Sequence, residues 1–239
     1  MYQGARSGLA VEELKISPGE RVGIIGPVGS GKSTLLKVMA GLFPPQSGVA
    51  YLSGLDLNQI AEDHLRRHVG YVGQEFRLVN GSLREQLTFG ISDPGDDAIL
   101  AAAEATGLNK LISAHPKGLE LPISEGGRGV SGGQRALVGL TRLMLAKPKI
   151  LLLDEPTAAL DQETEEQALR AIVGNLDTND ALVMVTHKIS LLNMVQRLIV
   201  VVNGKIIFDG PTAAVLQKLS PASANATAPV AANIQKVTI

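Results

Sequence analysis

A glycine-rich segment near residue 30 carries the strongest chemical signal in this sequence. It consists of Gly26, Pro27, Val28, Gly29, Ser30, Gly31, Lys32 and Ser33, followed by Thr34. A strand-like run precedes it and a helical pattern follows it, which is the context of a phosphate-binding loop. Glycines let successive backbone amides turn around a phosphate, Lys32 can reach the outer phosphate oxygens, and the Ser33 hydroxyl can bind Mg²⁺. The segment therefore predicts a triphosphate site; the alternative is a merely glycine-rich turn.

Two acids follow the most apolar strand candidate. Ile150–Leu153 is apolar at every position, as expected for a strand covered on both faces, and we expect it at the centre of the sheet. Asp154, at the carboxyl end of such a strand, would lie beside the phosphate loop and hold Mg²⁺ directly or through water. Glu155 could then polarise the attacking water. Alone, the two acids could simply end a strand at the surface, but the phosphate loop favours the catalytic interpretation.

Short β-branched runs alternate with helical patterns, which indicates an α/β fold with a mostly parallel sheet. The other parallel strand candidates are 22–25, 69–72 and 181–185. Near the end of the chain, 198–202 and 205–208 flank Asn203-Gly204, a dipeptide typical of a two-residue hairpin turn. These two strands are predicted to be antiparallel.

Helical signals dominate between about residues 76 and 145 and predict a helical insert in the sheet domain. Ser82 and Glu85 have the spacing of a capping box. A second helix is predicted from Asp96 or Asp97 to Thr106, closed by Gly107. We expect one ATPase domain over residues 1–219 and a flexible tail over 220–239, where Ala, Ser, Thr, Pro and Asn prevail.

Composition limits the possible partners and compartments. The chain has 239 residues, 45% of them apolar, and a formal net charge of −1, so nucleic acid is not expected as a main partner. Cysteine is absent, which fits a reducing compartment such as the cytosol. The longest apolar runs are strand-sized, well below the roughly 20 residues that a membrane-spanning helix needs. The chain itself is therefore not expected to cross a membrane.

A second glycine-containing motif carries a family resemblance. It consists of Val130, Ser131, Gly132, Gly133 and Gln134, and it resembles the signature of ATP-binding cassette (ABC) proteins. Three further residues fit that family: Gln74 resembles its glutamine loop, Asp161 its D-loop and His187 its switch histidine. The resemblance covers nearly residues 1–219. It implies a P-loop NTPase core with an antiparallel β subdomain, an inserted helical subdomain, and ATP and Mg²⁺ as ligands.

The resemblance also implies a head-to-tail homodimer formed with ATP. Ser131 and two glycines at a helix start make a second cluster of anion-binding amides, too far along the chain to face its own phosphate loop. In the family's arrangement, Ser131 and Gly133 of one copy cap the phosphate held by Lys32 of the other. Gln74 would then contact the metal, and Tyr2 stands where exporters keep an aromatic residue that stacks on adenine.

Local motifs resemble ABC exporters, especially those of bacterial type I protein secretion. Glu125, in a Gly-rich loop before the signature, resembles the residue with which exporter cassettes touch a transmembrane domain; alone it could be a solvated acid. Such a cassette would act at the cytoplasmic face of the inner membrane. Two alternatives stay open: a soluble cassette acting on nucleic acid or ribosomes, and a module that dimerises on ATP without turnover.

The sequence also departs from the exporter pattern in three places. Gly73 stands where exporters usually have proline, Val130 replaces the usual leucine, and the strand expected before Tyr2 is missing. The missing strand suggests a domain cut from a longer polypeptide, although a separately encoded subunit also fits. It would affect adenine binding and stability without touching the phosphate chemistry.

Overall fold

The protein is represented by a computed structural model, which describes residues 8–74, 76–127 and 129–220. Within these residues the strands are β1 (Arg21–Ile25), β2 (Tyr51–Leu52), β3 (Leu55–Asp56), β4 (Val69–Val72), β5 (Gly81–Ser82), β6 (Pro122–Ile123), β7 (Ile150–Asp154), β8 (Ala181–Val185), β9 (Arg197–Val202) and β10 (Lys205–Pro211). The α-helices are α1 (Lys32–Met39), α2 (Glu62–His68), α3 (Leu83–Thr88), α4 (Asp96–Thr106), α5 (Asn109–Ala114), α6 (Gly132–Ala146), α7 (Gln162–Gly174) and α8 (Thr212–Leu219). Short 3₁₀ turns cover 57–59, 118–120, 125–127 and 189–194.

Six strands form one sheet in the order β10-β9-β1-β8-β7-β4. Every neighbouring pair from β9 to β4 is parallel, and only β10 runs antiparallel, beside β9. Asn203 and Gly204 make the predicted turn between β9 and β10, with φ of 50° and 78°. The α/β fold with a mostly parallel sheet is confirmed.

Helices cover both faces of this sheet. Alternate residues of each strand point to opposite sides, so neighbouring residues of one strand pack against different helices. On one face Leu152 packs in a cluster with Leu35 and Leu36 of α1. On the other face Leu151 and Leu153 pack in the cluster that contains the apolar residues of α6 and α7. The start of α1 lies at the carboxyl ends of the parallel strands, where Ser33 of α1 contacts Asp154 of β7.

The position predicted for Ile150–Leu153 is wrong. Its strand, β7, lies next to the edge strand β4, whereas β1 and β8 occupy the two middle places of the sheet. Burial on both faces marks any interior strand, and β8 is buried at all five positions. An all-apolar run therefore indicates an interior strand but not its distance from the edge.

The region between β4 and β7 contains α3 to α6 and the two-residue strands β5 and β6. Ser82 and Glu85 form the predicted capping box at the start of α3. Helix α4 ends at Gly107, whose φ of 86° is left-handed, as predicted. The buried hydroxyls of Thr106 and Thr141 lie 2.6 Å apart and join α4 to α6.

In the described part of the chain, no helix combines the length and apolar character that a bilayer crossing requires.

Candidate functional site

The phosphate loop leaves β1 and enters α1 with a backbone that only glycine can adopt at two points. Gly26 has φ of 149°, and a Cβ there would lie 1.9 Å from the carbonyl oxygen of Val201. Gly31 caps α1 with φ of 104°. The Ser30 carbonyl accepts from the amide of Gly204 at 3.0 Å, so the β9–β10 turn braces the loop.

Lys32 lies inside this loop. It is buried, and its Nζ donates to the carbonyl oxygens of Gly26 at 2.8 Å and Pro27 at 2.9 Å. Burial lowers the pKa of the Lys32 ammonium, while the charges of Glu155 and Asp154 oppose that shift. The cation and the two acids predicted to act in one site therefore lie close enough to influence each other.

Asp154 lies at the carboxyl end of β7 and touches two hydroxyl groups. Ser33 Oγ donates to its Oδ1 at 3.1 Å, and the Tyr71 hydroxyl donates to its Oδ2 at 3.3 Å. Burial, followed by the charge of Asp154, raises the pKa of Tyr71. A Cβ on Gly73 would lie 2.8 Å from the Tyr71 hydroxyl, so the glycine in place of proline gives this ring room.

Tyr71 was missed by sequence reasoning. Tyr71 and Val72 are adjacent in β4 and point to opposite faces of the sheet. Only the pairing of β4 with β7 brings the Tyr71 side chain to Asp154. The available signal was a polar ring near the end of a strand that precedes a candidate glutamine loop.

The oxygen atoms at Asp154 fit a magnesium ion. Mg²⁺ prefers hard oxygen ligands and is usually held by one or two carboxylates together with substrate phosphates and water. Ser33 and Asp154 supply such a hydroxyl and carboxylate side by side. Among the described residues no cluster of three or more His, Cys, Asp or Glu side chains could hold a metal.

Glu155 and His187 follow the neighbouring strands β7 and β8, and their side chains are in contact. His187 Nε2 lies 2.9 Å from Glu155 Oε1, and both side chains are partly exposed. The Glu155 amide donates to the Val185 carbonyl at 3.1 Å, which joins the ends of β7 and β8. Glu155 has φ of 49°, a conformation that is costly for a residue with a side chain and that persists where the surroundings hold it.

The signature motif forms the start of α6. Ser131 Oγ accepts from the Gln134 amide at 3.1 Å, and the Ser131 amide donates to Gln134 Oε1 at 2.8 Å. A Cβ on Gly133 would lie 2.9 Å from the Ala159 carbonyl oxygen, and one on Gly132 would lie 3.4 Å from the Ala159 methyl. The glycines therefore let the helix start approach the segment that leads into α7.

Asp161 caps α7 beside this motif. Its carboxylate accepts from the Thr164 amide at 3.0 Å and the Thr164 hydroxyl at 2.8 Å, and these hydrogen bonds lower the pKa of Asp161. An open cleft of about 290 Å³ has Ser131, Gly133 and Asp161 among its lining residues. None of the described hydrogen bonds joins the signature to the phosphate loop of the same chain.

The remaining predicted residues are placed as follows. Val28 and Thr34 of the loop are exposed, and so is Gln74, two residues after β4. Glu125 is exposed in a 3₁₀ turn, and its amide donates to Asn80 Oδ1 at 2.6 Å. Val130, in place of leucine, is buried. Tyr2 and the tail from residue 221 onward lie outside the described residues.

Comparison with known proteins gives one family. The family described as ABC transporter matches residues 10–158.

Three curated relatives illustrate the similarity. ATP-binding cassette sub-family B member 6 of Rattus norvegicus is 34% identical over 91% of this chain and 26% of its own length. The mitochondrial iron-sulfur clusters transporter ATM1 of Kluyveromyces lactis is 35% identical over 90% of this chain and 30% of its own. The ATP-dependent lipid A-core flippase of Neisseria meningitidis is 38% identical over 82% and 32%. This chain thus spans about a quarter to a third of these relatives.

A solved structure has the same fold. The structure of a bacterial Atm1-family ABC exporter with ATP bound superimposes with a TM-score of 0.79 at 26% identity. The match covers 85% of this chain and 36% of the exporter chain.

Proposed function

The chain belongs to the ABC transporter family, and we propose that it is the nucleotide-binding domain of an ABC exporter, hydrolysing Mg-ATP between two head-to-tail copies of itself. The observation that carries this proposal is the convergence of Lys32, Asp154, Glu155 and His187 at one edge of the sheet, around the phosphate loop. An ATPase of this family needs a cation for the phosphates, ligands for a metal and a base for water, and these four side chains supply them.

The phosphate loop would bind and orient the nucleotide. Its backbone amides would surround a phosphate. Lys32 can exchange its carbonyl partners on Gly26 and Pro27 for phosphate oxygens, which are stronger acceptors because they are charged. Ser33 and Asp154 would hold Mg²⁺, which supplies charge neutralisation at the phosphates when bound. Gln74 would complete this metal site.

Glu155 would accept the proton of the attacking water, and His187 would orient the Glu155 carboxylate. The contact between Glu155 Oε1 and His187 Nε2 gives the carboxylate a defined direction. A base must lie within hydrogen-bond reach of the proton that it removes, and Glu155, directly after β7 and partly exposed, would be accessible to such a water.

The signature would act on the partner copy's nucleotide. Ser131 and Gly133 lie at the start of a 15-residue helix, and such a start attracts anions through its free amides. In their own chain Gly132 and Gly133 lie close to Ala159, and Gly133 also lies close to Leu160. A second copy in head-to-tail symmetry is the arrangement that would bring Ser131 and Gly133 over a triphosphate. Asp161 would lie at the same interface.

The exporter assignment rests on the relatives and on the exposed turn that carries Glu125. The relatives include a transporter of iron-sulfur clusters and a lipid A-core flippase, and the chain matches only a part of each. The partner of this chain would be a transmembrane domain, either fused to it or encoded separately. Glu125 and its turn would contact that domain. The domain would then work at the cytoplasmic face of the membrane. Protein or peptide secretion, as in type I systems, stays a proposal for the cargo, since these two relatives already differ in theirs.

Two measurements test this function. Phosphate release from ATP by the purified chain should require Mg²⁺ and should be abolished by Lys32→Ala, with the exposed Lys117→Ala as a control for charge removal. The coding sequence that flanks this segment, or a neighbouring gene, should encode six membrane-spanning helices. Undiminished release by Lys32→Ala would refute the ATPase site, whereas a lack of any membrane partner would refute only the exporter assignment.

A further inference from the structure

The carboxylate of Glu165 lies buried between the two segments that carry Glu155 and His187. Its side chain is 1% exposed. One oxygen accepts from the hydroxyl of Thr157, and the other lies 2.8 Å from Lys188 Nζ. Thr157 is two residues beyond Glu155, and Lys188 directly follows His187. A single carboxylate therefore joins both catalytic segments to α7.

The position of Glu165 in α7 makes its chemistry unexpected. Glu165, Ala168, Leu169 and Ile172 are the buried residues of this helix, and their spacing is that of one core-facing stripe. An apolar side chain would suit that stripe, because a buried ion pair is often no more stabilising than well-packed apolar residues of similar volume. The stability of α7 therefore does not explain why a glutamate stands at the first position of this buried stripe.

We propose that Glu165 is a positioning residue, which holds Thr157 and Lys188 so that Glu155 and His187 remain within hydrogen-bond reach of each other. The inference rests on the proposed function. A direct contact of 2.9 Å joins the two catalytic side chains, and Glu165 adds a second connection through their chain neighbours. The Lys188 amide also donates to the Thr186 hydroxyl at 3.0 Å, which fixes the backbone on both sides of His187.

This second connection also reaches the expected interface with the partner copy. The Glu165 amide donates to the carbonyl of Asp161 at 2.9 Å, one helical turn away, and Asp161 lines the cleft beside the signature. Glu165 therefore also connects the Asp161 end of α7 to Thr157 and Lys188.

Lys188→Met is the first test. It removes the ammonium and keeps an unbranched side chain that is shorter by one atom. We expect kcat for Mg-ATP to fall about 10- to 100-fold, as for a small misplacement of catalytic groups. KM should change less than about threefold, because the phosphate loop is untouched. Lys188→Arg, which can still bind the carboxylate, should restore most of the rate.

Lys149→Met is the matched control. Lys149 is also partly exposed and pairs with a mostly buried carboxylate, Asp180, at 3.1 Å. That pair lies at the opposite end of β8 from His187. Its loss should leave kcat and KM at wild-type values.

A triple variant separates positioning from stability. Thr157→Val, Glu165→Met and Lys188→Met together replace the polar groups by apolar side chains of similar size, so that no polar atom of this trio remains buried without a partner. We expect the triple variant to fold, with a melting temperature near that of the wild type, and still to show the lowered kcat. A wild-type kcat in this variant would overturn the proposal.

A double-mutant cycle with His187 gives a readout that a purely structural role would not change. If Lys188 acts through His187, Lys188→Met should have no further effect on the rate in a His187→Ala background. Independent, multiplying losses would overturn the proposal, although the ATPase function would stand. Failure of the wild-type chain to hydrolyse ATP would instead refute the proposed function, and the two failures are therefore distinguishable.

Discussion

His187 Nε2 lies 2.9 Å from Oε1 of Glu155, so the two residues expected to act on the attacking water are in contact. The contact joins the carboxyl ends of neighbouring parallel strands, β7 and β8, whose register pairs Asp154 with Val185. The sheet fixes these positions, and the side chains need only a short reach. The charge of Glu155 also extends to Lys32, where it opposes the effect of burial on the pKa of the ammonium.

Glu155→Gln should separate nucleotide binding from turnover. Glutamine keeps the size of the side chain but cannot accept a proton from water, so we expect turnover to fall by roughly 10²- to 10⁴-fold. Binding should persist, because Lys32 and the loop amides are unchanged. With ATP and Mg²⁺ the variant should accumulate as a dimer in analytical ultracentrifugation. Glu104→Gln, an exposed acid on α4, is the control, and a monomeric variant with undiminished turnover would contradict the assignment of the base.

The local structure of the phosphate loop, the strand end with the two acids and the signature could be predicted from sequence, because each is a contiguous motif; their roles stay predictions. The capping box at Ser82 shows the same, since three-residue spacing determines both hydrogen bonds. Contacts between strands were less accessible. The edge-proximal place of β7 and the approach of Tyr71 to Asp154 depend on strand order, which an apolar run does not encode.

Glu165 illustrates the second kind of contact. In the sequence it is one of several acids at the start of an amphipathic helix, where acids are favoured by the helix dipole. Its burial and its two partners arise only when α7 packs beneath the segments that follow β7 and β8. Its spacing from Ala168 and Leu169, on the core-facing side, was the one available signal.

Tyr71→Phe should make the free energy of unfolding less dependent on pH in the alkaline range. Burial, with a further contribution from Asp154, raises the pKa of Tyr71 above its usual 10.0 in the folded protein. In the unfolded chain the phenol loses its proton at lower pH than in the folded one, so the free energy of unfolding falls as pH rises above about 10. The phenylalanine variant should lose less of this free energy between pH 9 and about pH 11 in urea titrations.

Tyr51→Phe is the control for this measurement, because the Tyr51 side chain is exposed. It should follow the wild-type pH dependence. Equal declines for wild type and both variants would show that the Tyr71 hydroxyl is not buried against Asp154.

Gly26→Ala should destabilise the domain more than a glycine substitution elsewhere. The new methyl would meet the Val201 carbonyl at 1.9 Å, and the backbone has φ of 149°, so overpacking and backbone strain add to about 3–5 kcal/mol in the free energy of unfolding. Gly48 has φ of 81° with nothing within 4 Å of a Cβ, so Gly48→Ala should cost only the strain, about 1 kcal/mol. Similar losses in the free energy of unfolding for the two variants, measured in urea, would show that the Val201 carbonyl does not lie against Gly26.

Two inactive variants should complement each other if the site is shared between copies. Lys32→Ala removes the cation from the phosphate loop, and Ser131→Arg places a bulky cation at the signature, so neither variant forms a complete site with itself. In a head-to-tail pair of the two, Lys32 of the second variant meets Ser131 of the first, and one of the two sites is intact. Mixing should therefore restore about a quarter to a half of wild-type phosphate release. If instead each chain carried a complete site of its own, the mixture would be no more active than the sum of its parts, and the dimeric mechanism would be wrong.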